Sequence, residues 1–446
     1  LNPVPSPEPP PAPVLQVNTS VLPAPSIRLG DVVTVHGRLS NGYVAASSPG
    51  EISALFDLQA TERPNGPRPH TAVALVVDRS GSMAGEKIRQ ARRAAKMLIS
   101  RLDDEDQVAI VTYSSDFAVD LPLTTVRGRR NQVNRVIDEI LDGGGTNLSG
   151  GLQAGLRALG RAAPMMARRL ILLSDGNANQ GITDPTTIGD IAADARRLGV
   201  TVSTLGVGVD FNEDLMNLIA QSAGGGYYYA RDAATIASAF ERELQGLKTL
   251  AARQVELSFE LAPGMRIKEV FGYRTEIRGG RTVIPVGDMA GGETRRVMIR
   301  LSVDPIMAGQ GTSLGVLLSH ESADGRQPHE FRAELTSMAT RDAAKVALGA
   351  SRDVEEAFAA AHAAAARKDA AASFSSGNRQ KAVRSLQNII AHTKRTNKNL
   401  NSAALKNQVD EMQKTLGELR SYRYDSEAGK DLIKREKLRA RQVFIH

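Results

Sequence analysis

Between Thr71 and about Leu247, near-continuous apolar runs alternate with amphipathic helical segments, and this alternation restricts the fold more than any other feature. TAVALVV (71–77), QVAIVTYS (107–114), RLILLSDG (169–176) and VTVSTLGVG (200–208) have the length and β-branched content of buried strands. Between them lie helical patterns at 86–102, 131–141, 152–162 and 186–199, then a short helix at Asp214–Gln221 and one ending near Leu247. GGGYYYA (224–230) reads as a last or edge strand. A strand apolar along its whole length must be covered on both faces. Helical crossovers supply that cover for a parallel sheet. The expectation is an α/β fold with a doubly wound, mostly parallel sheet over residues 71–247.

The flanks follow a different period. Residues 26–70 hold β-like runs, including Val32–Arg38 and Ile52–Ala60, separated by the turn-rich Ser40–Gly50 and closed by Pro64, Gly66, Pro67 and Pro69. From 248 to 340 the helices stop, and runs such as QVELSFELA (254–262), MRIKEVFGY (265–273), RRVMIRLSV (295–303) and EFRAELTSM (330–338) alternate with a period of two. That is the pattern of an antiparallel sandwich. The early strands need partners, so the α/β unit is expected to be inserted in one β-sandwich. Residues 1–25 form a Pro-rich leader, and 341–446 form a helical basic tail with segments at Asp353–Ala372, Arg379–Thr393, Ser402–Leu419 and Asp431–Phe444. Ser375–Gly377 and Arg395–Asn401 are the expected breaks, giving a hairpin or three-helix unit plus a last basic helix.

Three loops follow strands of the α/β unit and would converge at the carboxyl edge of the sheet, where ligands of such folds bind. They are Asp78-Arg79-Ser80-Gly81-Ser82, Gly143-Gly144-Gly145-Thr146-Asn147 and Ser174-Asp175-Gly176. Between them they offer carboxylates and hydroxyls without His or Cys, and such an all-oxygen set suits a hard cation. Mg²⁺ is the first choice; Mn²⁺ and Ca²⁺ are the alternatives. Two carboxylates against a dication leave room for an external anionic oxygen. Gly81 would let the backbone approach closely.

Asp78-Arg79-Ser80-Gly81-Ser82-Met83, Thr146 and Ser174-Asp175-Gly176 resemble the metal-ion-dependent adhesion site (MIDAS) of von Willebrand factor A (vWA) domains, which are Rossmann-like. The resemblance covers about 71–247 in motif order and spacing. It implies that Ser80, Ser82 and Thr146 ligate directly and that Asp78 and Asp175 act directly or through water. It also implies that a protein partner fills the open position with an Asp or Glu, with Arg79 and Asn147 on the ligand-binding rim. The flanking strands and tail resemble bacterial relatives of inter-alpha-trypsin inhibitor heavy chains, some labelled calcium-activated chloride channel homologues, on fragments such as VFGY (270–273) and VGDMAGGE (286–293).

The resulting expectation is a metal-dependent protein-binding module and not an enzyme. The alternatives are a Mg²⁺- or Mn²⁺-dependent phosphatase-like hydrolase, or a nucleic-acid or membrane binder acting through the tail. GxxxxGK[ST] is absent, Gly81-Ser82-Met83-Ala84-Gly85 fails the GxSxG spacing, and no His stands in the three loops as a base. With no Cys, thiolate catalysis, disulfides and Cys-held zinc are excluded. From Arg341 onward 21 basic residues face 12 acidic ones, a net of +9 that leaves −2 for the rest, and this is read as a solvated helical face with no nucleic acid expected. Asp103–Asp106 reads as a solvated turn, His320-Glu321 and His329-Glu330 as surface strand ends, and Asn18-Thr19-Ser20 as an idle glycosylation pattern. No run reaches the ~18 apolar residues of a membrane span. The chain starts on Leu without a basic-then-apolar leader, which reads as a trimmed chain, cytoplasmic in preference to exported or lipid-anchored.

Overall fold

The computed structural model describes residues 14–15, 24–62, 69–231 and 233–445. The Asn18-Thr19-Ser20 pattern, Pro64, Gly66, Pro67 and most of the Pro-rich leader lie outside them.

The apolar runs become a six-stranded sheet in the order Tyr227–Ala230, Val200–Val207, Ala167–Ser174, Thr71–Asp78, Gln107–Tyr113, Phe117–Thr125. All neighbours are parallel except the last pair. Thr71–Asp78 is buried at every position, as a central strand covered twice must be. Helices Glu86–Arg101, Arg130–Asp138 and Ala233–Lys248 cover one face. Leu148–Leu159, Pro185–Arg197 and Glu213–Ser222 cover the other. The chain therefore leaves Thr71–Asp78 toward one face and its neighbour Ala167–Ser174 toward the other, which opens a crevice between their carboxyl ends.

Two features depart from the sequence expectation. Phe117–Thr125 is an antiparallel edge strand that the periodicity did not reveal; it carries Pro122 and is largely exposed, as an edge tolerates. The third helix starts at Leu148, so Gly150 and Gly151 lie in it and not in a loop. Both are packing positions. A Cβ on Gly151 would stand 2.5 Å from the Tyr113 ring, and one on Gly155 2.6 Å from Val76, so the glycines bring this helix down onto the sheet.

Strands on both sides of this unit build one sandwich. A five-stranded sheet runs Met265–Phe271, Thr294–Val303, Gly50–Ala60, Val33–Leu39, Ser26–Gly30. Facing it, a seven-stranded sheet contains Leu250–Leu261, Arg281–Ala290, Gly311–Ser322 and Pro328–Thr340, with Tyr43–Ala45 at its edge. Inward residues at period two, among them Val35, Phe56, Leu257, Phe259, Leu301 and Val316, form their shared core. The Phe56 and Phe259 rings meet at 5.1 Å. The α/β domain is thus inserted in the antiparallel sandwich.

The tail has the larger of the expected forms, a three-helix unit plus a last helix, preceded by one short helix. Four long helices, Arg352–Ser375, Arg379–Leu400, Ala403–Ser421 and Glu427–Ile445, follow the short Ala343–Leu348. The expected break at Arg395–Asn401 is instead helical up to Leu400, and the chain turns at Asn401 in the left-handed region. The last helix packs on three surfaces. Leu432 and Ile433 join the helical core, Ala440 and Phe444 pack on the outer face of the five-stranded sheet beside Phe271 and Met298, and Asp431 accepts from Tyr229 Oη of the α/β domain at 2.8 Å.

Most basic residues of the tail, such as Lys368, Arg395 and Lys414, are exposed as expected, whereas those of the last helix, and Arg367, are paired. Lys430 pairs with Asp210, Lys434 and Lys437 with Glu213, and Arg367 with Glu436 in the buried helical core. Asp106 also departs from a solvated turn: fully buried, it accepts from the backbone N–H groups of Thr71 and Asp103, each at 2.8 Å. Among the described residues no helix is long and apolar enough to cross a membrane.

Candidate metal centre

The strand Thr71–Asp78 ends by delivering a fully buried carboxylate into the crevice. Asp78 Oδ1 accepts from the backbone N–H of Ser80 at 2.8 Å, which turns the chain sharply, and Oδ2 accepts from Ser174 Oγ at 2.7 Å. Ser80 stands at the N-cap position of a 3-10 turn, Gly81–Met83, without a side-chain capping bond, and the N-cap of the long helix after it is Gly85. Freed from capping, Ser80 Oγ lies 3.1 Å from Ser82 Oγ, and Ser82 Oγ donates to Asp175 Oδ1 at 2.7 Å. Asp175 comes from the neighbouring strand end and is likewise fully buried.

The second loop is laced to the first. Gly81 N–H donates to Gly144 O at 3.1 Å, and Gly143 N–H donates to Arg79 O at 2.7 Å. The close approach falls at Gly144 and not at Gly81. Gly144 has φ +88°, and a Cβ there would meet Ser115 Oγ at 3.0 Å, whereas one on Gly81 would stand 3.7 Å from its nearest neighbour. Thr146 is buried, its backbone N–H held by Asn179 Oδ1 at 2.9 Å. A Cβ on Gly176 would lie 3.4 Å from Ser82 Oγ and 3.6 Å from Thr146 Oγ1, so both hydroxyls flank one small space that only glycine leaves open.

The structure therefore brings Asp78, Ser80, Ser82, Thr146 and Asp175 to one crevice. The two residues expected on the rim are tied into these loops. Arg79 ties the loops through its backbone. Asn147 Oδ1 caps the next helix, accepting from Gly150 N–H at 2.9 Å. On the sheet side the site is sealed by Tyr113, whose Oη donates to Leu173 O at 3.1 Å and whose ionisation burial pushes far up. Outward, Ser82 and Gly144 are exposed.

Electrostatics set the demand for a cation. Burial raises the Asp78 carboxyl above its usual range, its hydrogen bonds to Ser80 and Ser174 oppose this, and the nearby Asp175 adds to the rise. One cation already answers: Lys87 Nζ, from the first turns of helix Glu86–Arg101, lies 2.5 Å from Asp175 Oδ2. The ammonium stands where positive charge is needed, and the oxygen-only donor set fits a hard divalent ion. Sequence reasoning missed Lys87 and the link from Ser174. Ser174 stood within a quoted motif, and Lys87 lies five residues beyond Ser82, just over one helical turn from the loop.

Residues 72–242 match the family model of the von Willebrand factor type A domain. The uncharacterized Escherichia coli K12 protein YfbK is 30% identical over 211 residues, which cover 46% of this chain and 36% of YfbK. Mouse inter alpha-trypsin inhibitor heavy chain 4 is 29% identical over 162 residues, 34% of this chain and 17% of that protein. The chain thus spans only part of the curated relatives it matches. Among solved structures, a von Willebrand factor type A protein from Catenulispora acidiphila superposes with a TM-score of 0.71 at 19% identity, covering 94% of this chain and 97% of that one. That likeness extends through the sandwich and the helical tail as a likeness of fold. With a matching family model, matching relatives and a six-stranded sheet of the required topology, residues 72–242 are a von Willebrand factor type A domain.

Proposed function

We propose that this protein is a metal-dependent protein-binding module. In this reading Asp78, Ser80, Ser82, Thr146 and Asp175 hold a divalent cation, Mg²⁺ first with Mn²⁺ or Ca²⁺ as alternatives, as a MIDAS does. An Asp or Glu of a protein partner completes the coordination from the exposed side at Ser82 and Gly144. The bound ion would supply a positive point charge with an open coordination position, which an external carboxylate can neutralise.

The observation that carries this reading is the convergence of oxygen donors from three loops around two buried carboxylates, with the Lys87 ammonium seated on one of them. Buried carboxylates are costly unless paired, so the crevice is built around positive charge. Von Willebrand factor type A domains typically mediate protein–protein interaction and adhesion, in keeping with a binding role. Binding in preference to catalysis is favoured because the three loops present no imidazole base.

Pull-down from a native extract with Mg²⁺, with EDTA, and with Asp78→Ala tests this, with mass spectrometry of the captured proteins. The reading expects a partner that is retained with Mg²⁺ and lost in the other two conditions. A partner held equally in all three overturns it.

A further inference from the structure

A second cluster of ligating side chains lies at the end of the sandwich core, far from the A-domain loops in sequence. Along Gly311–Ser322 the buried positions are Thr312, Leu314, Val316, Leu318 and then His320. On the neighbouring strand the same face carries Leu335, Ala333, Phe331 and then His329. The two histidines are direct partners in the antiparallel register, their ring centroids 4.8 Å apart and their planes within 11°. From the opposite sheet Asp31, in the turn between Ser26–Gly30 and Val33–Leu39, closes over them. Its Oδ1 lies 3.1 Å from His320 Nε2 and its Oδ2 3.0 Å from His329 Nδ1. Both histidines stand near strand ends as the sequence reading expected, but His320 is buried and His329 half-buried, both on the inward face.

The second nitrogen of His320 decides what the cluster can do. Nδ1 lies 3.4 Å from the backbone carbonyl of Glu321 and Nε2 lies 3.1 Å from Asp31 Oδ1, so both ring nitrogens face oxygens that can only accept. A neutral ring carries one N–H, so it can donate to only one of these two acceptors and presents a lone pair to the other. A second proton would resolve this only by charging a side chain that is 1% exposed, at the end of an apolar core. A metal ion between Nε2 and Asp31 Oδ1 resolves it without charging the ring. Donation of the remote N–H to a backbone carbonyl is how metal-bound histidines are oriented.

We propose that Asp31, His320 and His329 form a two-histidine, one-carboxylate site for a borderline transition-metal dication, Zn²⁺ first. Imidazole donors select Zn²⁺, Co²⁺, Ni²⁺ or Cu²⁺ over the hard Mg²⁺ suited to the A-domain oxygens. The ligating atoms all lie within 4.8 Å of one another. A tetrahedral ion with bonds of about 2.0–2.1 Å needs them roughly 3.3 Å apart, a closure met by tilting the His329 ring. That side chain is 25% exposed, and the Asp31 side chain is 41% exposed, so the fourth position opens to water. The ion would staple the two sheets at one end, joining Asp31 to a residue 289 positions later across the inserted A domain.

The test uses the full chain, stripped with EDTA and titrated with ZnCl₂ under excess MgCl₂, with metal content and thermal unfolding read in parallel. A single equivalent of Zn²⁺ with micromolar or tighter affinity, and a Tm that rises on binding, are expected. His329→Gln, at the half-buried position, and His320→Gln should each weaken binding by more than the roughly 10–100-fold that loss of an outer-shell partner costs. Asp78→Ala should leave Zn²⁺ binding unchanged, which separates this site from the A-domain crevice. Absence of Zn²⁺ binding under excess Mg²⁺ overturns the proposal, and so does binding that survives His329→Gln.

Discussion

Replacement of Glu213 by Gln tests whether the C-terminal helix is an integral part of the A domain's support. Glu213 opens the helix Glu213–Ser222 and receives Lys434 Nζ at 2.8 Å and Lys437 Nζ at 2.6 Å. Lys434 also donates to Phe211 O at 2.8 Å and sits 3.9 Å above the Phe211 ring. The side chains of Glu213, Lys434 and Lys437 are 15%, 4% and 10% exposed, so water screens them little. Burial alone would push the Glu213 carboxyl up, yet the two ammonium groups more than offset it and hold it down from 4.5 to about 2. At about 1.36 kcal/mol per unit, a difference of roughly 2.5 units stabilises the fold by about 3 kcal/mol at pH 7. The folded value lies below the unfolded one, so this stability is complete above about pH 4.5 and is lost as pH falls toward 2. At pH 3 about 1.4 kcal/mol of it should remain. Urea unfolding followed by circular dichroism should therefore show Glu213→Gln destabilised by about 3 kcal/mol at pH 7 and by less than half of that at pH 3. A penalty that is the same at both pH values, or below about 0.5 kcal/mol at pH 7, would refute the reasoning.

Three further perturbations probe the packing and the crevice. Gly151→Ala drives a Cβ to 2.5 Å from the Tyr113 ring and should destabilise by about 1–3 kcal/mol, read as a lower urea midpoint. Arg196→Met removes a guanidinium that holds Glu256 at 2.7 Å and Glu276 at 2.5 Å across the junction of A domain and sandwich. Because Arg278 still pairs with both carboxylates, the expected loss is about 3 kcal/mol, near the lower bound for breaking a buried pair. Lys87→Met vacates Asp175 Oδ2 and removes a charge next to a dication, so calorimetry should show Mg²⁺ binding roughly tenfold tighter. Unchanged or weaker Mg²⁺ binding would mean that Lys87 does not compete for the site.

The parallel strands were legible because strands covered on both faces are apolar through their centres, as Ala72–Val77 and Leu170–Leu173 are. Phe117–Thr125 escaped because an exposed edge strand needs no such pattern. Gly150 and Gly151 read as loop residues because glycine marks a turn in most settings; here the Phe117 ring beside Gly150 and the Tyr113 ring beside Gly151 leave no room for a Cβ on this helix. The loops of the candidate centre could be located from spacing and from the order of strand and helix. The Lys87 pairing could not, since it depends on how the first helix is rotated. The solvated basic face holds for most of the tail, where Lys368, Arg395 and Lys414 are exposed, but not for its last helix: Lys430, Lys434 and Lys437 meet Asp210, Glu213 and Asp214 more than 200 positions away in sequence. His320 was within reach, because Leu314, Val316 and Leu318 already set the inward phase of its strand.

Calorimetric titration of the EDTA-treated chain with MgCl₂, for the wild type and for Asp78→Ala, bears most directly on the metal centre. The account predicts one saturable Mg²⁺ site in the wild type and none in the variant, with circular dichroism spectra that superimpose. Equal Mg²⁺ binding by both chains, or none by a folded wild type, would contradict it.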